Sequence, residues 1–172
     1  MKRDKKCMSD FNTQLQDYLA QHGMDAVAFV RYVYLLHDAA DRFLLVKAES
    51  DSFPVQMFGG CWQILSDSYY ACDMLDADLL ETAREVIQQF TNLGASDVLL
   101  AQVLPGGDYP KFGKYLILFF YARVDDGVAF EFWSDHHTEA LWLPREAALA
   151  QVEVAEDWQF LAHLRLPVIP LF

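Results

Sequence analysis

Positive charge is what this sequence has least of. Its 13 Lys and Arg stand against 25 Asp and Glu, a formal net charge of −12 at pH 7. The one basic cluster, Lys2, Arg3, Lys5 and Lys6, lies at the N-terminus. Binding to DNA or RNA draws most of its affinity from cationic side chains that neutralise phosphates, so the charge balance argues against a nucleic-acid polymer as partner but not against a small nucleotide. Cysteine is sparse too. Cys7, Cys61 and Cys72 form no CxxC motif and no paired framework, which fits free thiols in a reducing compartment and points to the cytoplasm. Long apolar runs are missing. The stretch 115–122 falls far short of the roughly 20 residues that cross a bilayer, and the charged start leads into Ser9-Asp10-Phe11-Asn12, so neither a membrane span nor a secretory signal is expected. There is no internal repeat and no low-complexity tract. Gly59-Gly60 lacks the following Lys and Ser/Thr of a P-loop and reads as a bend before a strand.

What the chain does have is apolar mass. With 172 residues and 53% hydrophobic content, it can close one substantial core rather than two small ones. The expected organisation is a disordered basic terminus over 1–8, an N-terminal helix over 9–23 and a single domain over 24–172. Ser9 is the expected N-cap of the first helix, Phe11, Leu15, Tyr18 and Leu19 its apolar face, and His22-Gly23 its stop. Residues 26–36 and 43–48 read as a hairpin of two strands separated by His37-Asp38-Ala39-Ala40-Asp41, with loops at 49–54 and 69–78. Residues 97–104 form a strand, and Pro105-Gly106-Gly107-Asp108-Tyr109-Pro110 signals a loop. The nearly continuous apolar run 114–124 is a strand buried on both faces, turned by Asp125-Asp126-Gly127 into a second hairpin with 128–133. Pro144 opens a short helix and 156–164 forms another. The apolar tail 166–172 must either pack back onto its own domain or cover a partner subunit.

Residues 76–91 hold the polar spacing that chemistry can use. As a helix, the stretch lines up Leu79, Leu80, Ala83, Val86, Ile87 and Phe90 on one stripe, while Glu81 and Glu85 share the opposite side with Arg84 between them and Gln88 and Gln89 one turn on. Such a face is either solvated or able to collect a hard divalent cation. In Asp135-His136-His137-Thr138-Glu139, only His137 and Glu139 share a side of an extended chain, too few ligands for a metal site. His22, His37 and His163 read as surface or packing residues.

Ala83-Arg84-Glu85-Val86, preceded by Asp76 and followed by Gln88-Gln89, resembles the Nudix box, the loop-helix-loop signature of hydrolases that cleave nucleoside diphosphates linked to another moiety. Arg84, Glu85 and Val86 match, and Asp76 stands at the first Glu. Tyr70 stands at the first Gly, Gln88 and Gln89 at the Glu-Glu pair, and Thr91 at the last Gly. Residues 42–47 and 62–65 are similar to the strands before the box, with Leu65-Ser66-Asp67 in place of Pro-Gly-Gly. Residues 138–149 are similar to the late strand and helix, with His136 where a catalytic Glu often lies. The resemblance covers roughly residues 27–149. It implies an α/β fold of α+β type, a Nudix-like α/β/α sandwich on a mixed sheet containing antiparallel strands.

The resemblance also implies Mg²⁺ or Mn²⁺ chemistry, with Glu85, Arg84 and Glu81 as candidate catalytic residues and Glu85, Glu81 and Asp76 as candidate metal ligands. Tyr109, Lys111, Lys114, Gln88 and Gln89 become candidates for contacting a small phosphorylated or nucleotide-like ligand. Because Gln at 88 and 89 removes two negative charges from the family's pattern, the expectation is ligand binding with weak or absent metal-dependent pyrophosphohydrolysis. Two alternatives stay open: an active divergent pyrophosphohydrolase using Glu81, Glu85 and Asp76, and a non-catalytic homodimeric interaction protein.

Overall fold

The computed structural model of the protein describes residues 5–49, 57–71, 78–109, 113–124, 131 and 137–172. Its centre is a pair of strands, β1 (Phe29–His37) and β6 (Gly113–Val124), which run parallel in register from Phe29↔Tyr115 to His37↔Arg123. Every residue of β1 is buried, because alternate side chains feed two separate cores. Val30, Tyr32, Tyr34 and Leu36 enter one and Phe29, Val33 and Leu35 the other. Around this pair lie β2 (Arg42–Ala48), β3 (Trp62–Ile64), β4 (Ser66–Tyr70), β5 (Ala95–Tyr109) and β7 (His137–Pro144), with the path β3-β2-β1-β6-β5, β4 beside β1 and β7 beside β2.

Helices cover both faces. Leu15 and Leu19 of α1 (Lys5–Gln21) join Leu79, Ala83, Val86 and Ile87 of α2 (Leu79–Phe90) in the first core, whereas Ala148 of α3 (Arg145–Gln151) joins Phe160 and Leu161 of α4 (Ala155–His163) in the second. The result is the expected α/β/α sandwich on a mixed sheet. The second face is tied by Arg31, which spans from β1 to Asp157 of α4, both fully buried, and by Arg145, whose guanidinium donates to the carbonyls of Leu161, Ala162 and Leu164 at the end of α4.

Several boundaries differ from expectation, for identifiable reasons. Ser9 lies inside α1, not at its cap, since the helix already runs from Lys5. β1 and β2 pair only at His37↔Phe43: the same edge of β1 is taken over residues 29–33 by β4, so the two strands part beyond their turn. Residues 105–109 are not a loop, because β5 continues through them to Tyr109↔Gly113 with a shift of register between Pro105 and Asp108. Proline is tolerated there because β5 is an edge strand, and glycine is required at 106, where a Cβ would fall 2.3 Å from the Tyr115 ring. Tyr69 and Tyr70 likewise belong to β4. The hairpin expected over 125–133 falls outside the described residues except for Glu131.

The tail packs back on its own domain. The Leu171 amide donates to the Leu100 carbonyl at 2.9 Å, Leu171 joins the first core, and the Phe172 ring meets Phe11 and Tyr18 edge-on.

Candidate functional site

The α2 helix is set by its caps and its stripe. Asp78 accepts from the amides of Leu80 and Glu81 at 3.1 and 3.2 Å, satisfying two donors of the first turn. Burial of Leu79, Ala83, Val86 and Ile87 then turns Glu81, Arg84, Glu85, Gln88 and Gln89 outward, all exposed. At the far end Thr91 is fully buried. Its hydroxyl donates to the Ile87 carbonyl at 2.7 Å and accepts from the Leu93 amide at 3.1 Å. With φ −136° it needs no glycine-like backbone, so a Thr can close the helix here.

Glu81 and Glu85 are the only carboxylates on this outer face of α2. Among the described residues no three His, Cys, Asp or Glu side chains converge as metal ligands, and Asp76 lies outside those residues. A hard divalent cation takes roughly six oxygen ligands and favours charged ones. Glu81, Glu85 and two neighbouring amides supply part of such a set on the described face of α2.

Near the C-terminal end of α2, His137 is buried with its ring against Phe90 at 5.9 Å, while Glu139 is exposed and 4.0 Å from Lys47 Nζ. A register shift between Lys47 and Ala48 separates them along β7. His136 lies outside the described residues.

Arg84 has a different setting. It lines a cavity of about 740 Å³ together with His37, Asp97, Val98, Leu99, Tyr121, Arg123 and the tail residues Leu166, Pro167 and Val168. Strand pairing builds this wall. His37 of β1 lies opposite Arg123 of β6, and Arg123 opposite Asp97 of β5, forming a row across three strands. Arg123 Nη1 donates to His37 Nδ1 at 3.1 Å, which makes that nitrogen an acceptor for the Tyr121 hydroxyl at 2.7 Å as well. The ring proton then sits on Nε2 and is donated to Asp41 Oδ1 at 2.6 Å. The ring also stacks on Phe43 at 4.3 Å. Burial holds the Tyr121 phenol above its ordinary range, opposed by a hydrogen bond and charge from Arg123. Asp41 reaches His37 from a tight turn at φ 61°, a conformation aspartate tolerates better than most residues.

Of the expected ligand contacts, Tyr109 and Lys114 lie together at one end of the β5–β6 pair. Lys114 is exposed at the opposite end of β6 from Arg123, nine residues and roughly 30 Å along the strand. Tyr109 pairs with Gly113 at that same end, and Lys111 lies outside the described residues. His37, Tyr121 and Arg123 were not among the expected site residues. Their meeting depends on the parallel register of β1 and β6, which no local pattern encodes. Arg31 did carry a local signal, a charge in the middle of the apolar run Phe29-Val30-Arg31-Tyr32-Val33, as a buried charge needs a partner.

No family model matches the sequence, and a search of curated proteins finds no relative. Solved structures are informative. The Nudix domain of Shewanella oneidensis NrtR, complexed with ADP ribose, matches at TM-score 0.60 and 15% identity over 85% of this chain and 93% of its own. A MutT Nudix hydrolase from Burkholderia pseudomallei matches at 0.58 and 17% over 79% and 97%, and the E. coli dihydroneopterin triphosphate pyrophosphohydrolase at 0.56 and 12% over 78% and 93%. With the α/β/α layering, the mixed sheet and α2 in its expected place, the protein has the fold of the Nudix hydrolases.

Proposed function

We propose that this Nudix-fold protein binds a small phosphorylated, nucleotide-like ligand and has little or no ordinary metal-dependent pyrophosphohydrolase activity. The observation that carries this reading is the outer face of α2, where Gln88 and Gln89 stand exposed beside Glu81 and Glu85. An amide keeps an acceptor oxygen but no charge, so the pull on a divalent cation is about half that of a four-carboxylate face. The similar NrtR domain complexed with ADP ribose supports a nucleotide-like class of ligand.

A thermal-shift screen of nucleotides and sugar nucleotides, with and without Mg²⁺ and Mn²⁺, tests the reading. Stabilisation by a ligand without metal is expected, together with no metal-dependent phosphate release. Changing Gln88 and Gln89 together to Glu should create measurable Mn²⁺ binding that the natural chain lacks. The competing reading is a divergent hydrolase whose cation rests on Glu81, Glu85 and Asp76. It is favoured by the exposure of Glu81 and Glu85 on one helix face. Mg²⁺-dependent turnover that disappears in Glu85→Gln would establish that reading and sink the first.

A further inference from the structure

Two of the chain's few guanidinium groups, Arg84 from α2 and Arg123 from β6, open onto the same cavity. Among the described residues neither forms an ion pair with a carboxylate. Among the described residues Asp97 is the one carboxylate in the lining, and Asp41 adds a second behind His37, so the two guanidinium groups face into the cavity while Asp41 is engaged on the far side of the imidazole. In a chain of net charge −12, two guanidinium groups on one cavity wall are a local concentration of cationic donors that an anion can use. Arg123 is also oriented in advance. Its bonds to His37 and to the Tyr121 phenol, with the imidazole anchored further by Asp41 and Phe43, leave part of its N–H donors for another acceptor.

The space is that of an organic molecule rather than a bare ion, since small-molecule sites span roughly 300–1,000 Å³ and this one measures about 740 Å³. Val98, Leu99, Leu166, Pro167 and Val168 supply apolar wall. The tail part of that wall is pinned by Leu171 on Leu100 and by Phe172 on α1.

We infer that this cavity binds a small organic phosphate, its phosphoryl end shared between Arg84 and Arg123 and its less polar body lying against residues 166–168. A phosphoryl group has enough terminal oxygens to engage both guanidinium forks, whereas one carboxylate is filled by a single fork. The choice of ligand class rests on the proposed function. The site itself does not, because none of its contacts requires a cation on α2.

Titration calorimetry on the full chain in EDTA tests the site, with inorganic phosphate, inorganic pyrophosphate, ADP and citrate as probes. ADP should bind more tightly than phosphate, and citrate weakly. Arg84→Gln and Arg123→Gln should each weaken ADP binding about tenfold or more, Arg123→Lys less, and Lys47→Gln, an equal loss of charge elsewhere, hardly at all. Arg84 is exposed on its helix, so its variant keeps the test decisive even if Arg123→Gln perturbs the strand end. Unchanged affinity in Arg84→Gln, an equal loss in Lys47→Gln, citrate binding as tight as ADP, or no heat from any probe at millimolar concentration would overturn the site. Binding seen only with Mg²⁺ would also overturn it, while supporting the cation-dependent reading of α2.

Discussion

Asp157 and Asp67 are both carboxylates withdrawn from water, on opposite faces of one sheet, and their surroundings treat the charge differently. Asp157 receives a cation: Arg31 donates to both its oxygens at 2.5 and 3.0 Å, and the Ile64 amide adds a third bond at 2.9 Å. Burial alone would lower the pKa of Arg31, but the charge and hydrogen bond of Asp157 outweigh it and the guanidinium is held above its usual range. Asp67 receives only neutral donors, the hydroxyls of Tyr34 at 2.6 Å and Tyr69 at 2.5 Å. Burial therefore dominates and pushes its carboxyl up to about 6, partly opposed by those hydrogen bonds. Both phenols are in turn raised, first by burial and then by Asp67 itself. The comparison teaches that hydrogen bonds can satisfy a buried acid's geometry without compensating its charge. One face carries a permanent ionic tie and the other an acid that titrates near neutrality.

The largest effect is expected from breaking the tie. Asp157→Asn leaves Arg31 charged and buried, which should cost about 3–5 kcal/mol in urea unfolding. The paired replacement Arg31→Met with Asp157→Leu should recover much of that loss, and failure to do so would mean the surrounding Gln63 and Ser66 contacts matter more than the ion pair.

Next comes Asp67. Its folded pKa lies above the ordinary carboxylate value of 3.8, so between about pH 4 and pH 6 the folded chain binds more protons than the unfolded one, and this group's contribution to stability falls as pH rises. A shift of about two units corresponds to about 3 kcal/mol. Asp67→Asn removes the titration, so its stability relative to the natural chain should improve by about that amount from pH 4 to pH 7. A difference that does not change with pH would refute the assignment. The smallest effect is expected at the end of α2. Thr91→Ala removes the hydroxyl shared by Ile87 and Leu93 and should cost about 1–2 kcal/mol, read as a lower urea midpoint with an unchanged pH profile.

Legibility in the sequence followed the range of the cause. The outward set Glu81, Arg84, Glu85, Gln88 and Gln89 was readable because helix periodicity is local, and residues 79–90 fold with that face exposed. The buried strand over 114–124 was readable for the same reason. The strand through Pro105 was not, since the acceptability of a proline depends on β5 being an edge. The cavity wall was least readable. His37 and Arg123 are 86 positions apart, and only pairing brings them to hydrogen-bond distance.

By itself the sequence determined the amphipathic faces and the two-carboxylate outer side of α2, because each follows from side-chain chemistry repeated at short spacing, while the layering was implied by the resemblance to the Nudix family. Tertiary structure decided which charges meet: Arg31 with Asp157, Asp67 with two tyrosines, Arg123 with His37 beside Arg84. The reason is that register and burial, set by the packing of the whole sheet, govern both the distance between ionisable groups and the water around them.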